Sequence, residues 1–80
     1  MAGSMKERKL SLLRRASSVG LEVRTHAPDG TTIYKFFDRS NVDMATLDYF
    51  SDVCIGRCRG LSQAEVWLDG YVTAYCEHAR

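Results

Sequence analysis

Apolar side chains in residues 5–19 recur every three or four positions, which is the period of an amphipathic helix. Steps of about 100° per residue gather them on one face, made of Met5, Leu12, Leu13, Ala16 and Val19. Gly20 follows directly, and glycine commonly ends a helix because it adopts the left-handed conformation without strain. The pattern predicts a first helix over 5–19.

Residues 21–26 and 31–38 have the pattern of two β-strands joined by a turn. Apolar and polar side chains alternate in the first run, and β-branched and aromatic residues dominate the second. The linking Ala-Pro-Asp-Gly at 27–30 is strong turn chemistry. Phe36 and Phe37 fall on opposite faces, so this strand is expected either to be covered on both sides or to lie near an edge. Together these residues predict a β-hairpin.

The segment between the hairpin and the last helix has the weakest pattern. Apolar residues at three-residue spacing after Asp43, a favourable N-cap, predict a short helix within 42–50. Val53 and Ile55 fit a short third strand, but the helix could equally continue until Gly56 ends it. The sequence leaves both alternatives open.

The C-terminal segment has the pattern of a second long helix. Ser62 and Glu65 have the spacing of a capping box, and Leu61 with Val66 has that of a hydrophobic staple. Gly70 lies inside the helix, where glycine often marks a close approach to another element. One stripe of this helix is apolar, with Trp67 at its margin: Ala64, Leu68, Tyr71, Val72, Tyr75 and Ala79.

These elements predict an α+β domain in which the helices, chiefly the C-terminal one, cover one face of a small antiparallel sheet of two or three strands. The chain has 80 residues and 45% hydrophobic side chains, which fits one globular domain. Residues 1–4 look like a tag remnant before Met5, so the domain is expected at 5–80. The predicted core consists of Leu12, Leu13, Val23, Tyr34, Phe36, Leu68, Tyr71 and Tyr75.

Composition also bears on where the protein works. No apolar run approaches the roughly 18 residues needed to span a bilayer, and the first residues lack the apolar region of a signal peptide. Three cysteines are an odd number, which suits a reducing compartment better than a disulfide scaffold. A cytoplasmic protein without a membrane partner is therefore expected.

Charge is distributed unevenly although the net charge is only +1. Basic residues dominate 1–19, and acidic residues dominate from Gly60 onward. We favour complementarity between the two ends of one domain. The alternative is a basic nucleic-acid-binding protein, with bases stacking on Tyr34 and Phe36 and phosphates bound by Arg8, Arg14, Arg15, Arg57 and Arg59.

Thiol chemistry offers two further candidates. A zinc site is conceivable from Cys54, Cys58, Cys76 and His78, but the last two would point to different sides of a helix, so we favour no metal. The arginines on either side of Cys58 would favour its thiolate, yet the sequence supplies no base fixed beside it. No phosphate loop or nucleophile elbow occurs. We therefore expect no catalytic residues, no cofactor and no enzyme activity.

Aromatic residues of the type that anchors protein interfaces remain, namely Trp67, Tyr49 and Tyr71. They favour a protein-interaction module, and a homodimer through the hairpin edge or the Trp67 margin fits the same residues. In addition, the runs 20–25, 28–37, 48–50 and 60–65 resemble small uncharacterised proteins of phages and other mobile elements. That resemblance carries no catalytic residue. It implies a binding module that modulates or blocks a larger macromolecular complex.

Overall fold

The computed structural model describes residues 4–78, with side chains through Glu77. Its elements, in chain order, are α1 (Met5–Ser18), β1 (Leu21–His26), β2 (Ile33–Asp38), a 3₁₀ helix (Arg39–Asn41), β3 (Gly56–Arg59) and α2 (Leu61–His78). The predicted α+β fold is confirmed. The expectations for residues 1–3 and for Ala79 concern positions outside the described range.

Helix α1 begins at Met5 as predicted and ends at Ser18, one residue before the predicted end. The Ser4 hydroxyl accepts the Glu7 N–H at 3.2 Å, and Gly20 adopts φ 77° just beyond the helix. Its buried stripe is narrower than predicted, because Leu12 and Ala16 are buried whereas Leu13 is 42% exposed. The prediction that Leu13 belongs to the core is wrong, since α1 contacts β1 and α2 with a face centred on Leu12 and Ala16.

The three strands form one antiparallel sheet in the order β1-β2-β3. In the register, Val23 lies opposite Phe36, and Tyr34 lies opposite Cys58. A third strand was one of the two alternatives, but it begins at Gly56, after the residues expected to form it. The edge strands are therefore β1 and β3.

One face of the sheet packs against both helices. Tyr34 and Phe36 of the central strand point to this side and are buried in a core shared with Leu12, Ala16, Leu21, Cys58, Leu61, Ala64 and Leu68. Phe37 is also fully buried, although it points to the other face. Of the two alternatives for β2, the structure shows coverage on both sides, and β2 is the central strand and not an edge.

Residues 42–55, which we call the covering loop, lie over that second face. The Tyr49 ring is 4.9 Å from the His26 ring and 4.5 Å from Lys35 Nζ. The short helix predicted within this loop does not form, and the 3₁₀ helix ends before it. Instead, carboxylates of Asp43 and Asp48 each accept the N–H two residues on. Such local bonds favour turns over a helix.

Helix α2 begins earlier than its capping signals indicate. Gly60, with φ 89°, turns the chain straight from β3 into a helix starting at Leu61. Ser62 is therefore inside the helix, and the predicted capping box and hydrophobic staple are wrong, since Val66 is exposed. The prediction that Tyr75 belongs to the core is wrong: it is 48% exposed, because the core contacts of α2 end at Val72. No helix in the described residues is long and apolar enough to cross a membrane.

Candidate interaction surface

Aromatic rings form a column that leads from the core to the surface along α2. Trp67, Tyr71 and Tyr75 are four residues apart, so they lie on one side of the helix. The Trp67 ring stacks on Phe36 with centroids 4.3 Å apart, and on Tyr71 at 5.5 Å. Tyr71 and Tyr75 follow at 6.5 Å. The column ties the predicted interface residues Trp67 and Tyr71 to the buried core.

Gly56 lets the Trp67 indole lie directly on β3. A Cβ at this glycine would be 2.4 Å from two carbons of the indole ring, which is far inside van der Waals contact. The sequence had suggested a close approach at Gly70 instead, and this is wrong, because no atom lies within 4 Å of a Cβ built there. The contact that fixes the indole is therefore made in the strand.

Beside the indole, an open groove of about 470 Å³ separates α2 from the β3 edge. It is lined by Cys58, Ser62, Gln63, Val66 and Trp67. Val66 forms its outer wall and is 73% exposed, although it lies in the middle of a helix. An isolated exposed apolar residue is common, but here it adjoins a partly buried tryptophan and a groove.

The third predicted anchor, Tyr49, lies elsewhere. It belongs to the covering loop on the opposite face of the sheet, where it contacts His26, Lys35 and Phe50. The Phe50 side chain is 69% exposed. The structure therefore brings two of the three predicted anchors together and separates the third from them.

The uneven charge of the sequence is matched between the two helices. The Arg8 guanidinium forms an ion pair with Glu65, and one of its bonds measures 3.2 Å. Arg15 pairs with Asp69, two turns further along α1 and one turn further along α2. The hydrogen bond from Arg8 holds the pKa of the Glu65 carboxyl below its usual value. These pairs connect the basic first helix to the acidic last one, which is the interpretation that the sequence favoured.

The other predicted phosphate-binding arginines lie in two different places: Arg14 is on α1, and Arg57 and Arg59 are on β3. Arg59 donates to Asp29 in the hairpin turn at 2.7 Å, and this bond lowers the Asp29 pKa. Arg14 and Arg57 are exposed and form no ion pair among the described residues. The five arginines thus do not form one continuous basic face.

The two aromatic residues proposed to stack on bases are inaccessible, since both are buried in the core. The Tyr34 hydroxyl is also buried and has no hydrogen-bond partner among the described residues. Burial raises the pKa of Tyr34, and the nearby Glu65 carboxylate adds to the shift while Arg8 opposes it. An unpaired buried hydroxyl is a cost to folding.

The cysteines occupy three different environments. Cys58 is buried against α2, Cys54 is half-buried, and Cys76 is exposed near the end of α2. No three potential ligands cluster among the described side chains, and the side chain of His78 lies outside them. Burial raises the pKa of the Cys58 thiol, so the flanking arginines do not activate it. Their register on β3 directs them to the opposite face.

Sequence reasoning identified Trp67 but missed the other residues that line the groove. Val66 had been assigned to a staple, and Cys58 had been considered only for its thiol chemistry, because the position of the third strand was unknown. The one available signal was Gly56, whose missing side chain matches the indole above it.

Models of known protein families, curated proteins and solved structures were all compared with the chain, and none matches it.

Proposed function

We propose that this chain is a small non-enzymatic binding module that docks onto a protein partner through the groove beside Trp67. The observation that carries the proposal is the exposed Val66 next to a half-buried tryptophan and an open groove of about 470 Å³. Tryptophan and tyrosine dominate the energetics of protein interfaces, and both belong to the same stacked column here.

Anchoring favours this surface over the loop that holds Tyr49. The indole is held between Phe36 and Tyr71 and rests on Gly56, so it loses little conformational entropy when a partner covers it. The covering loop has no helix or strand in residues 42–55. A preorganised anchor gives more affinity for the same buried area.

Docking of this kind would alter the activity of the bound partner without catalysing a reaction. In keeping with the resemblance to small mobile-element proteins, the module is expected to modulate or inhibit a larger macromolecular complex. Burial raises the pKa of Cys58, which disfavours the nucleophilic thiolate. This supports a role in binding without chemistry.

The test compares two exposed apolar residues changed in the same way. Val66→Lys places a charge in the groove, while Leu13→Lys places one on α1, where the side chain is also exposed. Both positions are helical and lysine is a good helix former, so both variants are expected to fold. Each is used to capture proteins from a lysate of the source cell, with quantitative mass spectrometry.

A partner that binds the unchanged protein and the Leu13 variant, but not the Val66 variant, would support the proposal. Its binding is then measured with the purified partner. If both variants keep the same proteins, the groove is not the interface. Labelled DNA and RNA are titrated in parallel across a salt series, because steeply salt-dependent binding that Arg14→Glu weakens would favour the nucleic-acid alternative.

A further inference from the structure

The free edge of β3 runs along the floor of the same groove. Gly60 N–H donates to Thr32 O at 2.8 Å, toward the centre of the sheet. Neighbouring residues of a strand turn their N–H groups to opposite sides, so those of Arg57 and Arg59 point away from β2. Such an edge is a template for an additional strand.

One of these two outward N–H groups already donates to a side-chain carbonyl, in the position that a neighbouring strand would otherwise occupy. The Arg59 N–H donates to Gln63 Oε1 at 3.1 Å, so a side-chain carbonyl from α2 takes the place of a backbone carbonyl. No described residue accepts the Arg57 N–H in the same way. Gln63 also lines the groove, so a strand that bonds the Arg59 N–H has to displace its side-chain carbonyl.

Side chains on the two sides of β3 differ in chemistry. Cys58 points toward α2 and the apolar groove, whereas Arg57 and Arg59 point to the opposite face, where Lys35 lies beside Arg57 in the register. Residues of an added strand would alternate in the same way. Those above the groove would be apolar, and those beside the arginines would be acidic, since opposite charges on neighbouring strands attract.

We propose that the edge of β3 receives an extended segment of a partner protein in which apolar and acidic side chains alternate. The segment adds as a fourth strand, its apolar side chains enter the groove beside Trp67, and its acidic side chains face chiefly Arg57, because Arg59 already pairs with Asp29. This inference rests on the proposed function, because it names the partner chemistry of the same groove. A second copy of the chain fits less well, since pairing two β3 edges would oppose arginines to arginines.

The probe is a short blocked peptide in which glutamate alternates with leucine. Trp67 is the single tryptophan of the chain, so its emission reports directly whether the groove is filled. One control peptide has the same composition with the glutamates grouped together. The other is the alternating peptide with every second amide N-methylated, which removes the donors of the strand ladder.

We expect saturable binding of the alternating peptide with a shift of the Trp67 emission. The N-methylated peptide should bind about tenfold more weakly, as the loss of one or two hydrogen bonds implies. The peptide with grouped glutamates should also bind more weakly, because its side chains no longer alternate between the two faces of the strand. Arg57→Glu should weaken binding about fivefold, while the matched Arg14→Glu on α1 should not change it. Gln63→Ala should strengthen binding, because it frees the Arg59 N–H.

Equal affinity for the N-methylated peptide would overturn strand addition, and so would the absence of any Trp67 response to the alternating peptide. Urea unfolding of each variant establishes that it is folded. If the peptide fails while Val66→Lys still loses its captured partner, this inference is wrong and the proposed function stands. If Val66→Lys loses no partner but the peptide binds as expected, the edge of β3 accepts a strand, and the proposed function is what fails.

Discussion

Replacing Gly56 by alanine tests the contact that holds the Trp67 indole. The added Cβ would be 2.4 Å from two indole carbons, so the ring must move. It cannot move without loss, because Phe36 lies stacked at 4.3 Å and Tyr71 at 5.5 Å. The backbone at Gly56 has no positive φ, so the cost comes from the ring alone.

The expected loss of stability is about 2 kcal/mol. Adding a methyl group to a filled site costs about 1–3 kcal/mol, and displacing an aromatic pair about 0.5–1.5 kcal/mol. These two costs overlap, because moving the indole relieves the clash. A domain of 80 residues has a free energy of unfolding of about 4–12 kcal/mol, so the variant loses a large share of it.

Urea unfolding followed by far-ultraviolet circular dichroism measures the effect. With a slope of about 1 kcal/mol per molar urea, the midpoint should fall by about 2 M. Gly70→Ala is the matched control, because it makes the same change inside a helix where no atom is near the new Cβ. That variant should be more stable by about 0.5–1 kcal/mol.

A double-mutant cycle decides whether the indole is the cause. In a Trp67→Leu background the ring is gone, so Gly56→Ala should cost less than about 0.5 kcal/mol. Equal destabilisation in both backgrounds would refute the reasoning. An unchanged midpoint for the single variant would refute the contact itself.

Three further variants or reactions have expected results of their own. Tyr34→Phe should raise the free energy of unfolding by about 1 kcal/mol, because it removes a buried hydroxyl without a partner; a loss in urea unfolding would mean that the hydroxyl is bonded. Glu65→Gln should reduce the loss of stability in acid. The stabilisation from Glu65 is present above its unfolded-state pKa of about 4.5 and is lost as the pH falls through its lowered folded-state pKa. If the free energy of unfolding differs between neutral and acidic pH as much in the variant as in the unchanged protein, this prediction is wrong. Cys76 should react with a thiol reagent in the folded protein and Cys58 only after unfolding, because one is exposed and the other buried; equal labelling rates by mass spectrometry would show that Cys58 is accessible.

Periodicity predicted the elements whose pattern and end signals agree. Helix α1 has both an apolar stripe and Gly20, and the hairpin has both alternation and a Pro-Asp-Gly turn. The covering loop misled the same reasoning, because its apolar residues have helical spacing while Asp43 and Asp48 bond the backbone locally. Spacing alone cannot show which of these two local preferences prevails.

The candidate site was harder to predict, because it depends on contacts between distant parts of the chain. Trp67 was identified by residue type, but its neighbour Gly56 contributes through the absence of a side chain. The opposite charges at the two ends indicated pairing, yet not that Arg8 would reach Glu65 across the helices. Nothing in the spacing showed that Val66 would remain exposed, because the start of α2 is set by Gly60 and not by Ser62.

Trp67 serves the core and the groove at once, and this determines how its role can be measured. Its ring stacks on the buried Phe36 while its other edge lines the groove, so Trp67→Ala would change stability and binding together. Val66 lies on the outer wall and is exposed, so a charge there alters the groove without removing a core contact. Gly56→Ala does the reverse: it leaves the outer wall of the groove unchanged and displaces the indole, because the new Cβ lies against the ring. If binding depends on the position of the indole, it should weaken in the Gly56 variant even where most molecules remain folded, and filling the groove with a ligand should raise the unfolding midpoint of the unchanged protein by mass action.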